Sequence, residues 1–217
     1  MKKQNIKDQK ALIETHKYLY RNHLTRFFHE FGHRVVQLLI KNKNGKIIDL
    51  GCGNGEHFRY IKNHNIVGID VNEKRLETAR KKYPDISLYQ ESINHLSFKD
   101  EQFDSAVAIY VLEHLVDLQM ALSEVKRILK PGGEFIMIIP TENFIYKLGR
   151  EFTVKRYVEK KCGVDYNKLV AEEHVNRCRD IIESLKNNFN IEKMIGVPFL
   201  VPLVDANIFI AARCKKR

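Results

Sequence analysis

The sequence has few of the features that would place a chain in a membrane or outside the cell. It contains no run of about 18 uncharged apolar residues, so we expect no membrane span. Its first ten residues, MKKQNIKDQK, are charged and no apolar segment follows them, so we expect no signal peptide. The sequence therefore predicts a cytoplasmic protein.

Cysteine is also scarce. The chain has four cysteines, and no two of them form a C-x-x-C pair. This spacing argues against a zinc ribbon and against a disulfide framework. We expect reduced thiols.

Positive charge exceeds negative charge, with 37 lysines and arginines against 27 acidic residues. Such a surface can attract nucleic acid or anionic lipid. The basic residues are spread over both ends and the helical segments, so we interpret them mainly as solvated helix faces. With 217 residues, of which 44% are hydrophobic, the chain fits a single domain over residues 1–217.

Residues 9–41 have the periodicity of one amphipathic helix. Its predicted buried face consists of large apolar residues: Leu24, Phe27, Phe28, Phe31, Val35, Leu38 and Leu39. The same segment contains His29-Glu30-Phe31-Gly32-His33, the H-E-x-x-H pattern of zinc proteases. We predict that His29 and His33 face solvent, opposite the apolar face. The extended protease motif also fails, because Val36 and Leu39 stand where glycine and histidine are needed. A metalloprotease is thus a disfavoured alternative, and we expect no metal site.

After Gly45 short β-branched runs alternate with amphipathic segments, which is typical of βαβ units and a doubly wound, mostly parallel sheet. The predicted strands are Lys46–Leu50, Ile66–Val71, Ile86–Gln90, Phe103–Tyr110, Glu134–Ile139, Ile191–Val197 and Asn207–Cys214. The predicted helices are Glu56–Asn63, Glu73–Tyr83, Asp117–Leu129 and Cys178–Phe189. Because only about nine residues separate the last two strands, we expect them to pair antiparallel.

These elements divide the chain into four predicted parts. Residues 1–45 form an N-terminal helical extension and residues 46–140 form the cofactor-binding core. Residues 141–175 form a substrate-covering insertion, and residues 176–217 form a C-terminal helix and hairpin.

The first predicted strand runs into a glycine-rich turn, IIDLGCGNGE. Gly51, Gly53 and Gly55 let the backbone turn tightly where open α/β sheets bind ligands. Asp70 follows nineteen residues after Gly51 and can accept both hydroxyls of a ribose, or it can cap the next helix. These features alone describe an NAD(P)-dependent oxidoreductase and a nucleoside-binding transferase equally well.

Further features favour the transferase. Asp49 lies within the glycine motif, where a carboxylate suits an amine and would repel the pyrophosphate of NAD. The segments FDSAVAIYVLEHL and LKPGGEFIMIIP follow, before the final strand pair. In these motifs the chain resembles the class I S-adenosylmethionine-dependent methyltransferases, especially the small type-11-like group that includes menaquinone methyltransferases. The resemblance implies a Rossmann-like, seven-stranded sheet with an antiparallel last strand, and S-adenosyl-L-methionine as the cofactor.

The resemblance also implies a set of cofactor contacts. Asp49, Gly51, Cys52 and Gly53 would hold the methionine part, Asp70 the ribose, and Val71 would lie against adenine. Family members place an aspartate on the adenine amino group, in a G-D-A-x-x-L-P-F stretch. Here the matching run is ESINHLSF, so Ser92 occupies that position, Ile93 follows it, and Glu91 is an alternative acceptor. Tyr110 would border the sulfonium.

Methyl transfer is an in-line displacement on an activated carbon, so a general base is optional. If one is used, His114 and Glu113 in VLEHL are the first candidates, followed by Glu142 and His174. A purely structural role for His114 remains open. We also predict that residues 172–174 face solvent.

The acceptor is predicted only as a class: a small molecule, a glycan or a lipid-linked compound. The N/D-P-P-Y/F and Pro-Cys motifs of nucleic-acid methyltransferases are absent, so nucleic acid is disfavoured. Residues 141–163 carry an apolar helical face that either packs on the core or meets an acidic or lipid-linked substrate, which leaves peripheral membrane contact open: Phe144, Ile145, Leu148 and Phe152. A cofactor-binding protein without transferase activity is a further alternative. The sequence does not indicate which oligomeric state the protein adopts.

Overall fold

The computed structural model describes residues 6–61 and 65–217. A seven-stranded sheet runs through it in the order β3-β2-β1-β4-β5-β7-β6. The strands are β1 Ile47–Leu50, β2 Ile66–Asp70, β3 Ser87–Gln90, β4 Phe103–Ile109, β5 Leu129–Pro140, β6 Phe189–Val197 and β7 Phe209–Lys216. The helices are α1 Ile6–Arg21, α2 His23–Leu39, α3 Glu73–Lys82, α4 Leu118–Ile128, α5 Phe144–Arg150, α6 Arg156–Cys162, α7 Tyr166–Glu173 and α8 Cys178–Asn188.

Strand direction agrees with the sequence prediction. The pairs β1–β2, β1–β4, β2–β3 and β4–β5 are parallel, whereas β7 is antiparallel to both β5 and β6. This is the Rossmann-like arrangement with an antiparallel last strand. Successive residues of β1 alternate between the two faces: Ile48 and Leu50 join the core beneath α4 and α8, while Ile47 joins the core beneath α2 and α3. The sheet is thus buried on both sides, which is typical of parallel sheets.

The glycine-rich turn does not continue into the predicted helix Glu56–Asn63. In the described part, turns lead only to a single 3-10 turn at Phe58–Tyr60, and residues 62 and 63 lie outside the described residues. Gly55 has φ of 75°, and a Cβ there would come within 2.6 Å of the Phe58 ring. The chain therefore folds back on itself at this point. The prediction of a helix over this stretch was wrong.

The N-terminal helical segment is also different from the prediction. It consists of two helices, which are separated at Asn22. This residue caps the start of α2, because its side chain accepts hydrogen bonds from the N–H groups of Leu24 and Thr25. The first five residues of the predicted extension lie outside the described residues.

The buried face of α2 is rotated relative to the prediction. Leu24, Phe27 and Leu38 are exposed, with 56%, 62% and 76% of their surface accessible, whereas His33 is only 3% exposed. Gly32 explains the rotation, since its lack of a side chain lets α2 approach the sheet at Tyr110 and Ile138. The histidine side of the helix therefore faces the protein interior, and the prediction that His29 and His33 face solvent was wrong.

Residues 141–175 form the helices α5, α6 and α7, with a π-helical turn at Glu151–Lys155 between α5 and α6. Val154, Val158 and Leu169 of this region pack with Ala11 of α1 in a separate small apolar cluster. Within the described residues, no helix combines the length and the low polarity needed to cross a membrane.

Candidate functional site

A cavity of about 960 Å³ opens at the carboxyl edge of the parallel strands. It is bordered by the glycine-rich turn after β1, the ends of β2 and β4, and residues of α1 and α2 such as Thr15, Tyr20 and His29. All eleven predicted site residues line this one cavity: Asp49, Gly51, Cys52, Gly53, Asp70, Val71, Ser92, Ile93, Tyr110, Glu113 and His114. Its size is sufficient for a nucleoside-sized ligand together with a second small molecule.

The glycine-rich turn has the backbone conformation that only glycine adopts without strain. Gly51 and Gly53 have φ of 72° and 54°. At Gly51 a side chain would also collide with Val111, with a Cβ only 2.6 Å from one of its methyl groups. A hydrogen bond of 2.8 Å from the Cys52 N–H to the Ile69 carbonyl ties the turn to the end of β2. The turn is therefore held open toward the cavity.

Asp70 ends β2 and holds the turn from the other side. Its carboxylate accepts hydrogen bonds from the backbone N–H of Gly53, at 2.9 Å, and of Asn72, at 2.8 Å. The helix cap is Asn72, whose side chain accepts from the Arg75 N–H. The alternative in which Asp70 itself caps α3 was therefore wrong. Val71 follows at the rim of the cavity and is 67% exposed.

Asp49 is buried in the cavity wall, and its Oδ2 has no hydrogen-bond partner. Burial, and secondarily the nearby Asp70 carboxylate, raises the pKa of Asp49 to about 8. A buried acidic group without a partner is unfavourable, and a cationic ligand would stabilise its charged form. The site therefore fits an ammonium group beside Asp49.

The segment after β3 presents a hydroxyl and an apolar side chain. Ser92 is exposed, and its Oγ accepts a hydrogen bond of 3.3 Å from the Asn94 N–H, while Ile93 is buried. The Glu91 carboxylate accepts hydrogen bonds from the backbone N–H and the hydroxyl of Ser97. The Glu91 carboxylate is thus engaged locally, whereas the Ser92 side chain is exposed at the cavity.

Tyr110 closes the base of the cavity after β4. It has a left-handed backbone conformation, with φ of 57°, and its ring contacts His29 and Phe209 with centroid separations of 4.9 Å in each case. Its buried hydroxyl has no hydrogen-bond partner, and burial raises its pKa well above the ordinary value. Tyr110 is therefore a neutral aromatic wall.

The histidines of the H-E-x-x-H segment belong to an aromatic cluster beside the cavity. Nδ1 of His33 lies 3.2 Å from Nδ1 of His57, and Nε2 of His33 lies 3.4 Å from the Tyr20 hydroxyl. Burial lowers the pKa of His57 to about 3 and that of His33 well below its ordinary value. These rings are neutral at pH 7. The sequence analysis did not assign them to the site, although their spacing at i and i+4 placed them on one helix face.

A second set of polar side chains comes from the two segments that follow β4 and α7. Glu113 is 3% exposed, its Oε2 has no hydrogen-bond partner, and burial raises its pKa to about 7. Nδ1 of His114 lies 2.9 Å from the Glu173 carbonyl oxygen, and burial lowers the pKa of His114 to about 4. The ring centroids of His114 and His174 are 4.7 Å apart.

His174 was predicted to face solvent, and that prediction was wrong. Its side chain is only 14% exposed and Nδ1 lies 2.5 Å from Oε1 of Glu142. The segment is held inward because the N–H groups of Val175 and Asn176 donate to the Glu113 carbonyl. This contact joins residues about sixty positions apart, so no local pattern could have indicated it.

Comparison with known proteins gives a consistent family assignment. Residues 48–137 match the family model described as Methyltransferase domain. The chain is 33% identical to an uncharacterized protein of Methanocaldococcus jannaschii, over 57% of this chain and 55% of that protein. It is 29% identical to the demethylmenaquinone methyltransferase of Thermotoga maritima, over 48% of each chain. The chain thus spans about half the length of these two curated relatives.

Among solved structures, a SAM-dependent methyltransferase of Thermotoga maritima superimposes with a TM-score of 0.66. The match covers 92% of this chain and 98% of that one, at 22% identity. At this identity the likeness concerns the fold alone.

Proposed function

Since the chain belongs to the type-11 group of class I S-adenosylmethionine-dependent methyltransferases, we propose that it transfers the methyl group of this cofactor to an oxygen, nitrogen or carbon atom of an acceptor. The observation that carries the proposal is the pair of carboxylates, Asp49 and Asp70, on either side of the turn from Gly51 to Gly53. Each acidic group matches a different part of the cofactor.

Asp49 would hold the amino group of the methionine part. Its unpartnered Oδ2 is buried, so an ammonium there would replace an unfavourable desolvated group with a charge-assisted hydrogen bond. Asp70 would bind the ribose hydroxyls with the lone pairs that its two backbone contacts leave free. The Asp49 carboxylate would also repel the pyrophosphate of a dinucleotide, which disfavours the oxidoreductase alternative.

The cofactor supplies an activated methyl group on a sulfonium. A lone pair of the acceptor forms the new bond to the methyl carbon, the carbon–sulfur bonding pair returns to sulfur, and the acceptor loses a proton if it is a hydroxyl or an amine. This chain's contribution is alignment and the exclusion of water, for which helices α1 and α2 cover the cavity and Tyr110 forms a neutral wall. Glu113 and His114 would face the acceptor.

The surface beside the cavity favours an acceptor with an apolar or lipid-linked body. Phe144, Leu148 and Phe152 are 78%, 45% and 62% exposed, so this face does not pack on the core. Lys147 and Arg150 lie on the same segment. An apolar face among basic residues suits a substrate at an anionic lipid surface.

The first test is calorimetric titration of the intact chain with S-adenosylhomocysteine, with NADH as the control ligand. We expect saturable binding of the thioether and none of NADH. Binding should be followed by transfer of label from methyl-labelled cofactor to a component of an acceptor mixture that includes lipid extracts. Absence of thioether binding, or binding of NADH in its place, would remove the proposal. Binding without transfer to any acceptor would favour the cofactor-binding protein without activity.

A further inference from the structure

Three side chains from two distant segments meet on the wall of the cavity. Glu113 and His114 come from the turn after β4, and His174 comes from the end of α7. One potential ligand atom from each lies within 4.8 Å of the others. Across residues 6–61 and 65–217, this is the one set of three histidine, cysteine or acidic side chains that meets this distance.

Both histidines already have the partners that orient metal-binding imidazoles. Nδ1 of His114 faces the Glu173 carbonyl at 2.9 Å, and Nδ1 of His174 faces the Glu142 carboxylate at 2.5 Å. A carbonyl and an ionised carboxylate only accept hydrogen bonds, so each Nδ1 carries the proton. The lone pair of each ring is therefore on Nε2. A histidine that binds metal through one nitrogen usually donates from the other to such an oxygen.

The third side chain supplies a carboxyl ligand, one oxygen of which has no hydrogen-bond partner. The Glu113 side chain is 4% exposed, Oε1 lies 3.9 Å from Nε2 of His114, and Oε2 has no hydrogen bond. A buried carboxyl oxygen left unsatisfied is unfavourable and calls for a bound group. This is a separate observation from the clustering of the two histidines.

The backbone holds the two segments together without help from the three side chains. The Val175 and Asn176 N–H groups donate to the Glu113 carbonyl at 2.8 and 3.1 Å. The Asn176 side-chain amide donates to the carbonyls of Leu112 and Leu115 at 2.9 and 2.6 Å. The ligand atoms are thus brought together by a fixed frame, which is what a pre-organised binding site requires.

We propose that Glu113, His114 and His174 bind a divalent first-row transition-metal ion, leaving coordination positions open toward the cavity. Two imidazoles and one carboxylate suit Zn²⁺, Mn²⁺ or Fe²⁺, whereas Mg²⁺ and Ca²⁺ prefer oxygen ligands. Ligands about 2.1 Å from an ion are separated by roughly 3 to 3.5 Å, so modest side-chain rotations complete the set. The sequence analysis had expected no metal site.

The role of the ion, unlike its binding, rests on the proposed methyl transfer. The cavity that holds these three residues also contains Asp49 and Asp70. An ion there would hold an oxygen of the acceptor in place and make its proton easier to lose to solvent. The acceptor class this favours is an alcohol or a phenol.

The test is calorimetric titration of the chelator-treated intact protein with Zn²⁺ and Mn²⁺, with Mg²⁺ for comparison. We expect one transition-metal ion per chain and much weaker binding of Mg²⁺. Both Glu113→Gln and His174→Gln should weaken binding of the transition metal at least tenfold. The matched controls are Glu172→Gln and His95→Gln, which alter exposed residues outside the cluster and should leave affinity unchanged.

Titration of the same samples with S-adenosylhomocysteine tests the proposed methyl-transfer function independently of the metal site. The metal-site variants should bind the thioether as the original chain does, which also shows that they are folded. Lack of metal binding, or equal affinity in all variants, would overturn the metal site even if the thioether binds. Metal binding without thioether binding would overturn the proposed function and leave the metal site standing.

Discussion

The Asp70 carboxylate accepts a 2.9 Å hydrogen bond from the backbone N–H of Gly53, joining the end of β2 to the glycine-rich turn after β1. One side chain therefore shapes the turn and faces the proposed ribose position. Asp70→Ala should lower affinity for S-adenosylhomocysteine by about ten- to a hundredfold, because it removes about 1.4 to 2.7 kcal/mol of hydrogen bonding. Asp70→Asn keeps one acceptor oxygen, so its affinity for S-adenosylhomocysteine should lie between those of the original chain and Asp70→Ala. Calorimetry measures both, with exposed Asp85→Asn as the control; affinity unchanged in Asp70→Ala would contradict the assignment.

Cofactor binding should release a proton from Asp49. With its pKa at about 8, this group is about nine-tenths protonated at pH 7, and an incoming ammonium favours the ionised form. Binding at pH 7 should therefore release close to one proton per chain, and the net release should fall as the pH rises through 8. The apparent affinity should rise as pH increases toward 8.

The proton release can be measured from binding enthalpies in buffers with different heats of ionisation. Asp49→Asn should abolish the dependence on buffer and should weaken binding. A dependence that persists in this variant would assign the proton to another group.

The contact between Gly32 and Tyr110 should make a small substitution costly. A methyl group at Gly32 would overlap the Tyr110 hydroxyl, and overpacking of this kind costs about 1–3 kcal/mol. At Gly149, which is also helical, an added Cβ would meet no side chain or distant backbone atom within 4 Å. Gly149→Ala should raise the free energy of unfolding by up to about 1 kcal/mol, whereas Gly32→Ala should lower it.

Denaturant unfolding of these variants, and of Gly32→Ala combined with Tyr110→Phe, tests the contact directly. Removal of the hydroxyl should restore most of the stability lost in Gly32→Ala. Equal effects of alanine at the two glycine positions would show that α2 does not approach Tyr110 closely.

Mild acid should destabilise the protein through its buried histidines. The pKa of His57 is about 3 in the folded chain and about 6.5 in an unfolded chain. Between these values the unfolded state binds more protons than the folded state. The contribution of His57 to the free energy of unfolding is therefore complete above about pH 6.5 and is lost as the pH falls. The slope approaches about 1.4 kcal/mol per pH unit for this one group.

Unfolding free energies at pH 7.5 and pH 5 measure this effect. His57→Gln should reduce the loss of stability between the two pH values by about 2 kcal/mol. Exposed His95→Gln is the matched control and should show the loss seen in the original chain. If His57→Gln and the original chain lose the same amount, the pKa of His57 is not lowered by folding.

The exposed apolar face of α5 should bind anionic lipid. The chain should sediment with vesicles containing an anionic lipid and much less with neutral ones, because Lys147 lies on the same helix as Phe144 and the Arg156 guanidinium lies over the Phe152 ring. Phe144→Ser with Phe152→Ser should reduce binding several-fold. Leu38→Ser changes a residue that is equally exposed, but on α2, and should have no effect. Equal binding of the original chain and all variants would contradict the proposal of a lipid-linked acceptor.

Local sequence patterns were sufficient to predict the parallel core of the sheet. Acidic residues close to the carboxyl ends of β1 and β2, with a glycine-rich turn after β1, place Asp49 and Asp70 at one sheet edge, because parallel strands share their carboxyl ends. The short connection before β7 likewise fixed its antiparallel pairing. These features depend on neighbours in sequence, or on rules that hold for every such sheet.

Contacts between distant segments set which face of α2 is buried and where His174 lies. Periodicity measures hydrophobicity along one helix, but the face that packs is set by the shape of the opposing surface, here by the close approach at Gly32. His174 meets His114 because backbone groups of residues 175 and 176 bond to Glu113, far away in sequence. The sequence determined the sheet and the proposed cofactor edge, whereas long-range packing and hydrogen bonding created the proposed acceptor side.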